Sequence, residues 1–220
     1  MMDFRKKYQE RRDEWIDWYW NKATAAEKKL YDLISDYSEE YFSDFRFEAG
    51  SATDDFVKID VSDDEGDSWS TETMDVPDEL QYFDDVILKS FQYAVAPLED
   101  GTLGSVNFAD CRVTIIPQMI NDDDGKATIL HEIIHIYEVV LNELPRFYHD
   151  ILLVCLYRNL HERVPDLDDR ILSHTHVYYG SEITRLGGEH DILFLLKSIE
   201  LDLRCGYKLG TVCGYGRDQY

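Results

Sequence analysis

Ala127-Thr128-Ile129-Leu130-His131-Glu132-Ile133-Ile134-His135-Ile136-Tyr137-Glu138 is the most informative stretch of this chain. Its local signals all indicate a helix, expected from Lys126 to Glu143 and stopped by Leu144-Pro145. Residues four apart lie on one helix face, so the imidazoles of His131 and His135 can reach a single ion. Glu132 stands beside that face, where a carboxylate can take a proton from a water activated by the ion. Around the helix Ile129, Leu130, Ile133, Ile134, Ile136, Val139, Val140 and Leu141 are apolar. Only His131, His135, Glu138 and Asn142 make a polar stripe. A helix this apolar is buried, and buried imidazoles need partners. Zinc is the first metal to consider for two neutral imidazoles on a helix.

A catalytic zinc commonly has three protein ligands. Several residues downstream are candidates for the third: Glu138 on the same helix, His149 at the start of the next, and His161 at its far end. His176 lies in an expected loop with His174, and Glu189 and His190 follow the Gly187-Gly188 pair. Asp150 or Asp191 can orient a ligand imidazole from behind. Tyr178 and Tyr179 are candidate donors to a developing oxyanion.

Upstream, Arg112 to Ile116 reads as a short strand ended by Pro117, and Gly104 to Phe108 as another. Asp78 to Val95 reads as a helix closed near Pro97. Residues 4–47 show apolar positions at spacings of three and four. Thr24 before Ala25-Ala26-Glu27 forms a capping-box signature, which divides them into two helices. The aromatic cluster Trp15, Trp18, Tyr19 and Trp20 is expected to pack on the core rather than to hold a ligand. Phe56 to Val61 reads as a strand and Ser62 to Asp67 as its turn. The carboxylates of Asp63, Asp64, Glu65 and Asp67 lack the spacing of a calcium loop. Beyond the central helix, a second helix is expected over about Tyr148–Glu162, a polar loop over Asp166–Tyr179, and a third helix over about Glu189–Arg204. The tail from Gly206 is expected to be irregular.

The Ala127–Glu138 run resembles the active-site helix of the SprT-like zinc metallopeptidases. In that family a third histidine follows a little over a dozen residues later and opens the next helix. His149, in Phe147-Tyr148-His149-Asp150-Ile151, matches that placement. The resemblance covers about Arg112 to Leu160. It implies an α+β zincin core, a small sheet packed against the helix and those that follow. It also implies His131, His135 and His149 as zinc ligands, Glu132 as general base, and peptide hydrolysis by a zinc-bound water. Here Asp150 stands where a glycine often follows the third histidine, and there is no cysteine-based zinc ribbon. The expected organisation is a helical and acidic region over residues 1–85 and a catalytic core over 86–220.

Composition narrows the partners. The 220 residues carry 45 Asp and Glu against 22 Lys and Arg, a net charge of −23. Such a surface repels phosphate backbones and anionic lipid, so the expected partner is a peptide or protein, with no nucleic acid and no membrane. The absence of a signal-like apolar segment, with four well-separated cysteines, indicates a reduced cytoplasmic protein. Residues 36–85 hold 18 acidic groups against Arg46 and Lys58. Two non-peptidase readings remain at this level. One is an acidic mimic of DNA directed at a basic partner; the other is a scaffold that holds metal without catalysis.

Overall fold

The computed structural model describes residues 4–42, 56–62, 69–75, 88–99, 101–121, 125–143, 146–179 and 190–214. Within them the chain is α+β, with six α-helices and a small mixed sheet. Helix α1 spans Phe4–Asn21 and α2 Ala25–Tyr41. The break between them is chemical. The Thr24 hydroxyl accepts the Glu27 amide while the Glu27 carboxylate accepts the Thr24 amide at 2.7 Å, a reciprocal cap. Thr24→Ala is expected to cost about 1 kcal/mol, read as a lower denaturation midpoint at unchanged slope.

Strands β1 (Phe56–Ser62) and β2 (Trp69–Asp75) pair antiparallel as a sheet of their own. The acidic turn expected between them lies outside the described residues. Three further strands, β3 (Gln92–Val95), β4 (Gly104–Asn107) and β5 (Arg112–Ile115), form the second sheet in the order β3-β5-β4. Strand β5 is central, parallel to β3 and antiparallel to β4, with Ile115 opposite both Val95 and Gly104. Strand β4 therefore forms one edge of this sheet.

The helix expected over Asp78–Val95 is corrected here, because Gln92–Val95 is strand; residues 78–87 lie outside the described residues. Phe91-Gln92-Tyr93-Ala94-Val95 alternates sides, and Tyr93 is fully buried with its hydroxyl donating to the Leu88 carbonyl at 2.6 Å. Pairing with β5, some twenty residues away, overrides the helix-like composition of the segment.

After a 3-10 turn at Pro117–Ile120 come α3 (Gly125–Glu143), α4 (Arg146–His161), α5 (Leu167–Tyr179) and α6 (Ile192–Cys205). Helix α5 replaces the loop expected over Asp166–Tyr179. Its inward stripe is Leu167, Ile171 and His174, at spacings of four and three. The buried residue that completes the stripe is polar, which hides the helical period from a hydrophobic reading. Asp168 and Asp169 in its first turn complement the helix dipole.

Helix α3 is central, packing on β4, α2, α4 and α6, while α6 also contacts α4 and α5. Leu30, Ile34 and Phe42 join Ile133, Ile134, Tyr137, Phe194 and Leu201 in one core. The Phe42 and Tyr137 rings stack at 5.2 Å. Trp15 is buried, stacked on Tyr19 at 4.8 Å, and Trp18 leans on Tyr93. The aromatic cluster is thus largely packing, with Trp20 at its exposed end. The C-terminal end of α2 is held by cations from α6. Buried Lys197 donates to the Tyr41 carbonyl at 2.7 Å and pairs with Glu200 at 2.9 Å, and Arg204 donates to the Tyr41 and Glu40 carbonyls. These bonds satisfy carbonyls that the end of a helix leaves open.

Among the described residues, no helix is long and apolar enough to cross a membrane. No disulfide joins the four cysteines.

Candidate metal centre

The burial of α3 follows from its composition: Ile129, Leu130, Ile133, Ile134 and Ile136 are each at most 1% exposed. His131 and His135 project from the same face, with ring centroids 5.0 Å apart. The third imidazole beside them belongs to His190, which immediately precedes the N-cap of α6. Its Nε2 lies 3.2 Å from Nε2 of His131 and 3.2 Å from Nε2 of His135. The potential ligand atoms of the three residues all fall within 4.8 Å of one another, the one such group among the described residues.

Hydrogen bonding decides which face of each ring looks inward. Nδ1 of His131 lies 2.9 Å from the Val212 carbonyl, and a carbonyl oxygen only accepts, so Nδ1 carries the proton. Nδ1 of His135 likewise donates to Glu138 Oε2 at 3.0 Å. In the neutral rings both Nε2 atoms then offer lone pairs to a common point. A single N–H on His190 can be directed at only one of them, whereas a cation can serve all three. Two nitrogens bound at about 2.05 Å to a tetrahedral zinc stand roughly 3.3 Å apart, close to the spacing seen here. The three residues could hold a metal ion, and the two separations from His190 match those of imidazoles on a tetrahedral zinc.

The surroundings shape the site. Phe194, on the first turn of α6, lies against all three rings, with centroid separations of 4.8, 4.8 and 4.5 Å from His131, His135 and His190. It closes the inner side with an apolar surface, which strengthens electrostatic interactions within. Phe108, in the turn after β4, is partly exposed and meets His135 edge-on at 6.4 Å. Val212 is held by Asp202 of α6, a fully buried carboxylate that accepts the amides of Gly210 at 2.7 Å and Val212 at 2.9 Å. The expected irregular tail thus contributes a carbonyl to the first histidine.

Glu132 is 4% exposed and lies against edge strand β4. A Cβ placed on Gly104 would sit 2.5 Å from Glu132 Oε1 and 2.8 Å from Ile115 Cδ1. Any side chain at residue 104 obliges the ends of the buried Glu132 and Ile115 side chains to move. Gly104→Ala is expected to cost about 1–3 kcal/mol through overpacking, measured as the change in unfolding free energy. A neutral result would mean that Glu132 turns aside without cost.

The other sequence candidates are placed as follows. His149 is not in the cluster. Its Nε2 lies 2.9 Å from Asp191 Oδ2, and Asp150 is 3.9 Å from its buried Nδ1. The histidine triad that converges therefore differs from the expected one, with His190 where His149 was favoured. The reason is topological: α4 turns His149 towards the capping residue of α6, one position beyond the histidine that enters the cluster. Burial pulls the His149 imidazole down, but the Asp191 carboxylate, with Asp150 and Glu138, carries it above its ordinary value overall.

His174 is buried on α5 and donates from Nε2 to the His190 carbonyl at 2.6 Å. Burial holds its imidazole below the usual value, opposed by the backbone carbonyls near it. Glu138 serves His135 as an acceptor for its ring proton. His161 and Glu162 are exposed at the end of α4, with the His161 ring against Tyr157. Glu189 and the side chains of His176, Tyr178 and Tyr179 lie outside the described residues. Phe194, Asp202 and the Val212 carbonyl were not recognised from the sequence. They carry no motif: the packing of α6 on α3 brings Phe194 to the three rings, and the return of the tail to Asp202 brings the Val212 carbonyl to His131.

No protein-family model, curated protein or solved structure matches this chain.

Proposed function

We propose that this chain is a zinc-dependent peptidase with a zincin-like core, in which His131, His135 and His190 hold the metal and Glu132 is the general base. The observation that carries the reading is the convergence of three imidazole Nε2 atoms, two with their tautomers set by Val212 and Glu138. A purely structural metal site gives no reason for a buried carboxylate next to the first ligand. The acidic-mimic reading gives no reason for the cluster at all.

Bound zinc supplies a water of lowered pKa and polarises a carbonyl. The rest of the chemistry belongs to the chain. Glu132 takes the water's proton and delivers it to the departing amine, a role typically worth 10²–10⁴-fold. Strand β4 lies beside Glu132 with an outer edge that no described strand covers. An extended peptide can pair there through its main chain and be aligned past the carboxylate. The His135–Glu138 and His131–Val212 bonds keep the rings oriented. A net charge of −23 disfavours polyanions, so peptides that are neutral or basic near the scissile bond are the fitting substrates.

The test is metal content by plasma mass spectrometry on protein purified without chelator or histidine tag, together with cleavage of a mixed peptide library. The expected result is about one zinc per chain, with cleavage abolished by chelation and restored by zinc. Protein that takes up no zinc on reconstitution overturns the proposal.

A further inference from the structure

Two of the ligands sit on one rigid helix, whereas the third comes from the short approach to α6. His190 has φ 58°, the left-handed region that a residue with a Cβ rarely adopts. Such a conformation persists only when its surroundings over-determine it.

The surroundings here are two other histidines. From α5, His174 Nε2 donates to the His190 carbonyl at 2.6 Å. From α4, His149 Nε2 donates to Asp191 Oδ2 at 2.9 Å, while Asp191 Oδ1 accepts the Phe194 amide at 3.0 Å and caps α6. His174 and Asp191 are each 1% exposed and His149 7%. Residue 190 is thus gripped through its own carbonyl on one side and through its neighbour's side chain on the other. Both grips come from elements other than the one that carries it.

We infer that His149 and His174 are positioning residues, which hold the backbone at residues 190–191 so that the His190 imidazole is preset to meet a metal with His131 and His135. This rests on the metal-site reading above. The third ligand is the one whose ordering a metal must otherwise supply, so its restraint sets affinity. Partners of this kind typically change metal affinity 10- to 100-fold.

The amide of glutamine can place a donor where a histidine has Nε2, whereas asparagine reaches only the Nδ1 position. His174→Gln and His174→Asn therefore separate the hydrogen bond from packing, as do His149→Gln and His149→Asn. Zinc affinity is measured by competition with a chromophoric chelator. The rise in Tm on adding zinc is compared with the Tm of the metal-free variant, and the visible spectrum of the cobalt-substituted protein reports ligand geometry.

The expected result is a 10- to 100-fold weaker zinc affinity and a smaller zinc-induced rise in Tm for each asparagine variant, with an altered cobalt spectrum. The glutamine variants recover affinity and spectrum. Asparagine variants that lower the metal-free Tm but keep zinc affinity and spectrum would overturn the inference and leave the metal site standing. Unaltered protein that binds neither zinc nor cobalt would overturn both.

Discussion

His190→Ala is expected to reduce zinc affinity by more than the roughly 100-fold that an outer partner is worth, because it removes a ligand rather than a support. With His131 and His135 alone the metal keeps two imidazoles, too few for the three protein ligands usual at a catalytic zinc. The variant should purify with little zinc, lose peptide cleavage with it, and remain folded when metal-free. The last point follows from position: His190 lies ahead of the α6 cap, and the cap bonds belong to Asp191.

His149→Ala is the informative companion. It should weaken the metal by the lesser factor of 10–100 and leave the site able to fill at saturating zinc. If instead His149→Ala abolishes binding and His190→Ala does not, the ligand set is the one the SprT-like resemblance implies, and the geometry described above is not that of the metal-bound protein.

Glu132→Gln is expected to keep about one zinc per chain and to lower kcat/KM by roughly 10²–10⁴-fold. The amide has the shape of the carboxylate and fits against Gly104, but it cannot take a proton. The thermal midpoint is measured alongside, to show that the variant is folded. This substitution separates an enzyme from a metal-holding scaffold. Full activity with normal zinc content would remove Glu132 from the mechanism, and zinc content lost with activity would move it into the ligand set.

What could be read locally, and what could not, differs element by element. The Thr24–Glu27 cap was legible because both partners lie within one turn. The same holds for the His131 and His135 face, since helical spacing alone sets it. Strand β3 was misread because its decisive partner, β5, is distant in sequence and its own residues tolerate either backbone. Helix α5 was missed because its inward stripe ends on His174, whose burial becomes favourable only once the His190 carbonyl is there to accept its proton.

By itself, the sequence determined a buried, capped, α+β chain with a two-histidine face and an adjacent carboxylate, all consequences of spacing within single elements. The tertiary structure alone decided the third imidazole, which stands 55 residues from His135. It also decided that His149 and His174 face residues 190 and 191 and that the tail carbonyl of Val212 meets His131. Those placements depend on how α4, α5 and α6 pack around α3, and several histidines at plausible distances along the chain are equivalent until that packing chooses among them.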